Sequence, residues 1–208
     1  MGEQQIFQPL TKEDKVTVVI YRIGIVLSAI IISIAAYMLF SASQRALDLF
    51  QDQDSTSLST KINILLFALY ISVGMSVFFI HLYVSKFKKG LIKLYFVSIA
   101  CLIILFAVGR GNVLGVLINK PYGPMLLIPL SLCLGFITAK EAFCFKLMEG
   151  YLLAMIMPFY LLLLSAGGMT IKGASYGLIL IAAMLLFFTL RKVSMPIHFD
   201  IGDKSAYT

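Results

Sequence analysis

The sequence predicts an all-α polytopic transmembrane helical bundle of about six spans with both ends in the cytoplasm. Three observations carry this. Hydrophobic residues make up 60% of the chain and charged residues 13%, where a soluble domain holds about 45–50% apolar and about 25% charged residues. The apolar residues fall in long runs, and a helix needs about 20 of them to cross a hydrocarbon core about 30 Å thick. The net charge of +7 is gathered beside those runs. That pattern suits topology and anionic headgroups rather than nucleic acid.

The chain divides into a cytoplasmic N-terminal tail (1–15), a six-span domain (16–190) with an amphipathic segment at 138–150, and a cytoplasmic C-terminal tail (191–208). Span one is expected at 16–40. It is too long for a signal h-region and lacks a small-residue cleavage site, so it reads as an uncleaved span. Arg22 sits about a turn and a half inside it. It either snorkels to the headgroups or pairs with a carboxylate of another helix. The stretch 41–61 is polar and acidic, with Asp48, Asp52 and Asp54. It reads as a solvated loop opening on a short amphipathic helix, because the glycine and glutamate of a calcium loop are missing.

Span two is expected at 62–84, with His81 at the interface near its end. Lys86, Lys88, Lys89 and Lys93 follow, the densest basic cluster of the chain. Span three covers 91–108. Gly109-Arg110-Gly111-Asn112 interrupts it, and 111–118 is too short to cross, so it is a re-entrant or interfacial piece or a continuation of span three. Prolines 121 and 124 and Gly123 mark a turn. Span four, 124–139, is short, with Pro129 as a bend. Thr138-x-x-Glu141 fits a capping box, so 138–166 reads as one long helix, kinked at Pro158 and ended by Gly167-Gly168. Span six covers 171–190, stopped by Arg191-Lys192, and the tail containing Pro196, His198, Asp200 and Asp203 is expected to be loose.

Orientation follows from the cations. With the termini inside, only Arg45, Lys61, Arg110, Lys120 and Lys172 of the 17 Lys and Arg residues fall outside, as the positive-inside rule demands. Helix association in lipid needs small residues. Gly24 and Ser28 in span one, Ala68, Ser72 and Ser76 in span two, Gly111-x-x-x-Gly115 and Gly173-x-x-x-Gly177 are expected to pack helices within the chain. A homodimer is their alternative use. Cys101, Cys133 and Cys144 have neither disulfide nor zinc spacing and read as buried thiols.

The segment with functional content is the junction of spans four and five. On one continuous helix Glu141, Phe145 and Glu149 share a face, with Cys144 and Met148 beside them. Lys146 stands three residues before Glu149 and in reach of it. Two carboxylates at membrane depth suit cation binding, proton relay or a pair with Arg22. The alternative is an amphipathic helix with its charges in water. The residues Lys140-Glu141-Ala-Phe-Cys-Phe-Lys146, then Glu149-Gly150-Tyr151 and an apolar span with a proline, resemble a family of bacterial integral membrane proteins, frequent in cyanobacteria and known as a domain of unknown function. The resemblance implies a multi-pass membrane fold and transfers no residue roles.

There is no H-E-x-x-H, no G-x-S-x-G and no pair of histidines facing each other, which argues against an enzyme and against any cofactor or metal. The expected role is a non-enzymatic accessory, scaffold or assembly protein of the bacterial inner membrane, or of a thylakoid membrane. Its partners are anionic lipid headgroups and a homodimer or larger membrane complex. The alternative is a small transporter or channel using Glu141 and Glu149 at the broken region 110–129.

Overall fold

The computed structural model describes residues 11–45, 52–82 and 84–200. Six helices are long and apolar enough to cross a membrane. They are α1 (Lys12–Arg45), α2 (Asp52–Phe79), α3 (Ser85–Gly109), α6 (Ile128–Phe145), α7 (Met148–Ser165) and α8 (Ile171–Val193). Two short helices, α4 (Val113–Asn119) and α5 (Tyr122–Met125), lie between α3 and α6, and a 3-10 turn covers Ile197–Asp200. No strand occurs among the described residues.

Small residues set the packing. Gly24 of α1 lies so close to α2 that a Cβ there would stand 2.6 Å from the Ser72 carbonyl oxygen. Ser28 and Ser72 share a hydrogen bond of 2.9 Å across the same contact. Gly135 of α6 rests on the Ala154 backbone of α7, and Gly177 of α8 rests on the Tyr160 ring. These faces are used up inside the chain, whereas Gly115 abuts its own Asn112 and packs no helix pair. Large side chains point outward instead: Ile71, Phe96, Ile103 and Met155 are all more than half exposed. In water that surface would drive aggregation; in lipid it is the solvated face.

Several sequence expectations need correction. The described parts of the stretch 41–61 are helix, since α1 runs on to Arg45 and α2 opens at Asp52. It contains no Gly or Pro, so nothing stops the helices once they leave the apolar zone. Asp48 lies outside the described residues. The segment 111–118 is not a continuation of span three: it leads into a separate short helix, α4. Arg110 (φ 45°) and Gly111 (φ 89°) end α3 in left-handed geometry, and Asn112 caps α4 by accepting from the Gly115 N–H at 2.9 Å. Pro129 sits in the first turn of α6 rather than bending it, where its missing N–H costs nothing.

The long helix expected over 138–166 is a hairpin. Lys146 adopts φ 55°, ends α6, and lets α7 return along it. Thr138 does not cap a helix start; inside α6 its hydroxyl donates to the Gly135 carbonyl at 3.0 Å. Cys144 is exposed rather than buried, while Cys101 is half-buried and Cys133 buried.

Candidate functional site: a buried ion cluster

Residues from α1, α6, α8 and the 3-10 turn converge at the end of the bundle where α1 begins and α8 finishes. Glu141 of α6 is fully buried. Its Oε1 accepts from the Tyr21 hydroxyl at 2.6 Å and from Lys140 Nζ at 2.8 Å, and its Oε2 pairs with Lys192 Nζ. Lys192 of α8, also fully buried, pairs in turn with Asp200 Oδ1. Its ammonium lies 3.8 Å from the centroid of the Phe145 ring, a cation–π contact that is strongest when desolvated.

Asp200 accepts on its other oxygen from Arg22 Nε at 2.6 Å. The remaining guanidinium N–H groups donate to the carbonyls of Val193 (3.3 Å), Met195 (2.7 Å) and Pro196 (3.1 Å). Arg22 thus ties down the chain leaving α8, and the tail is held as far as Asp200 rather than loose. Two carboxylates and three cations share a site where water is largely excluded. Burial of this kind is tolerated only when every charge is paired and hydrogen-bonded.

Of the four residues singled out by sequence, Glu141 and Arg22 join this cluster, linked through Lys192 and Asp200. Glu149 and Lys146 do not. The break at Lys146 turns α7 back, so Glu141 and Glu149 share no helix face. Glu149 instead receives Arg191 Nη1 at 2.7 and 2.9 Å on its two oxygens, and Lys146 is exposed at the hairpin turn. The expected Lys146–Glu149 pair is absent among the described ion pairs. Lys86, Lys89 and Lys93 are exposed along the first turns of α3, with Lys88 half-buried.

Tyr21, Lys140, Lys192 and Asp200 escaped the sequence reading. Lys192 looked like a stop signal beside Arg191, and Asp200 like tail. The available signal was an acid a few residues beyond the basic end of the last span, Arg191-Lys192. The described residues contain no group of three His, Cys, Asp or Glu side chains arranged for a metal. Both cluster carboxylates are already engaged on each oxygen.

Residues 75–208 match the family model of an uncharacterized integral membrane protein (DUF2301). No curated protein and no solved structure matches the chain.

Proposed function

The chain belongs to that family of integral membrane proteins, and we propose that it works as a non-enzymatic accessory or assembly protein of a bacterial inner membrane, with both termini cytoplasmic. The observation that carries this is the complete engagement of Glu141. Its oxygens take Tyr21, Lys140 and Lys192, so this carboxylate is not left to meet a travelling solute. A transporter built on Glu141 and Glu149 needs both at one site, and Glu149 is committed to Arg191 elsewhere. What the cluster supplies is a fixed cytoplasmic face. It locks α1, α6, α8 and the C-terminal segment together beside an exposed basic strip, Lys86, Lys89 and Lys93, that suits anionic headgroups. A larger membrane complex, or a second copy, meets this protein through the outward apolar faces, because the faces of Gly24, Gly135 and Gly177 are spent internally.

The test pairs two measurements on the wild type, Glu141→Gln and Glu149→Gln. Reconstituted vesicles are assayed for cation and proton flux, and mild-detergent extracts for co-purifying membrane proteins. The accessory reading expects no protein-dependent flux and a complex that Glu141→Gln weakens. Flux present in the wild type and lost in both variants overturns it in favour of transport.

A further inference from the structure

At the end opposite the ion cluster the helices part. An apolar cavity of about 260 Å³ lies between α1, α2, α4, α7 and α8. A second, of about 140 Å³, is walled by some of the same side chains, among them Ile32, Leu66, Leu127 and Leu178, and reaches inward to Val73, Leu134 and Met157. From Ile62 at the outer end of the wall to Val73 at the inner end, α2 rises about 16 Å, roughly half of a hydrocarbon core. The paired cavities therefore span the depth of one leaflet.

The walls say what fits. The Tyr160 hydroxyl donates to the Ala174 carbonyl at 2.9 Å, and the Ser131 hydroxyl to the Ile128 carbonyl at 2.8 Å. Both polar groups are satisfied within the protein, so water has nothing to bond and an apolar void of this kind stays dry. Left empty, it forfeits dispersion contacts along every wall. The rim is different. Ile118, Gly167 and Ile171 are exposed, and close to it in sequence are Lys61, Lys120 and Lys172. All three lysines are exposed, and none belongs to an ion pair among the described residues. A dry slot one leaflet deep, with exposed lysines adjoining its rim residues Ile62, Ile118 and Ile171 in sequence, matches one molecule type in the surrounding solvent.

We propose that this cavity is a binding site for one acyl chain of an anionic phospholipid, taken from the leaflet opposite the ion cluster, with the lysines at the rim receiving the phosphate. The site holds its lipid apart from the annular lipids, which touch only the outward faces.

The deciding experiment leaves the protein unaltered. The chain is reconstituted with phosphatidylglycerol carrying a photoactivatable diazirine near the chain's methyl end, irradiated and mapped by peptide mass spectrometry. The expected adducts fall on Val73, Leu134 or Met157, which are 0–5% exposed and beyond the reach of bulk lipid. Adducts confined to outward residues such as Ile103 and Met155 overturn the proposal. In native mass spectrometry, Ala35→Phe, or Leu178→Phe should the first fail to fold, is expected to weaken retention of a single phosphatidylglycerol. Excluding two methylenes corresponds to about a tenfold loss. Ile104→Phe, on the outward face of α3, is expected to leave retention unchanged. Equal retention in all variants, or displacement of the phospholipid by a prenyl quinone, overturns it. Replacing Lys61, Lys120 and Lys172 by Gln is expected to abolish the preference for phosphatidylglycerol over phosphatidylcholine while the chain still binds.

Discussion

Glu141 and Lys192 show what a buried charge costs and what it secures. Each is fully buried, so removing either alone leaves the other short of a partner. Glu141→Gln leaves Lys192 with Asp200 as its remaining carboxylate, and Asp200 is already shared with Arg22. The expected loss is about 3 kcal/mol, the lower end of the range for breaking a buried pair. The double change Glu141→Leu with Lys192→Met is expected to cost less than Glu141→Gln alone. It leaves the Arg22–Asp200 pair intact, and Lys140, whose side chain is 11% exposed, can reach headgroup water. A double-mutant cycle read by thermal unfolding in detergent checks this; additive losses would show that the two side chains do not act as a pair. His81 yields a second residue-scale expectation. It lies just beyond α2, with Thr17 Oγ1 3.3 Å from Nε2. Burial lowers its pKa, and Lys88 and Lys140 push the same way, while Asp14 and Asp200 oppose them. The native state therefore favours the neutral ring, and the stability it contributes is full above about pH 6.5 and lost as pH falls through the folded value. The melting temperature is expected to drop more between pH 7.5 and 5 in the wild type than in His81→Gln. Parallel curves would remove His81 from the account.

Among elements, the α6–α7 hairpin separates what a sequence displays from what it hides. Spans one, two, three and six were legible because each is a long apolar run that the bilayer itself demands. The hairpin was not, because its turn carries no Gly or Pro. Lys146 occupies a left-handed conformation at φ 55°, and the reason is tertiary. Leu147 is fully buried, and Gly150 brings α7 so near α6 that a Cβ there would stand 2.5 Å from the Thr138 carbonyl oxygen. Packing of this kind overrides local propensity. The same hidden geometry moved Glu149 away from Glu141, so the paired-carboxylate reading failed while the expectation for Glu141 and Arg22 as buried ionic partners came close. Asp200, 178 residues from Arg22 in the chain, had no local signal that named its partner. If packing forces a non-glycine residue into this turn, Lys146→Gly should relieve it. The expected gain is about 1 kcal/mol, since the left-handed conformation costs a side-chain-bearing residue about that much, whereas Lys146→Val should destabilise. Unfolding midpoints for the two variants on the same side of wild type would contradict the assignment of strain to this turn.

For the whole molecule, the cluster bears on orientation. Arg22, Lys140 and Lys192 supported the positive-inside reading, yet all three are neutralised inside the protein. Discounting them leaves Lys12, Lys15, Lys86, Lys88, Lys89, Lys93, Lys146 and Arg191 at the same end, against Lys61, Arg110, Lys120 and Lys172 at the other. The bias therefore survives on cations outside the cluster. The cluster adds a second, independent constraint: α1 begins and Asp200 ends at one face, because Arg22 and Asp200 are in contact. An even number of crossings follows whatever the membrane. Cys144, exposed at the α6–α7 turn, is a native reporter of that face. In a variant lacking Cys101 and Cys133, a membrane-impermeant maleimide is expected to label Cys144 in inverted vesicles and not in right-side-out ones. Moving the thiol to the other end, with Lys61→Cys in place of Cys144, should reverse the pattern. Labelling of both thiols from one side would break the six-crossing topology, and labelling of each from the opposite side to that expected would keep the bundle but invert it. The charge distribution predicts neither outcome.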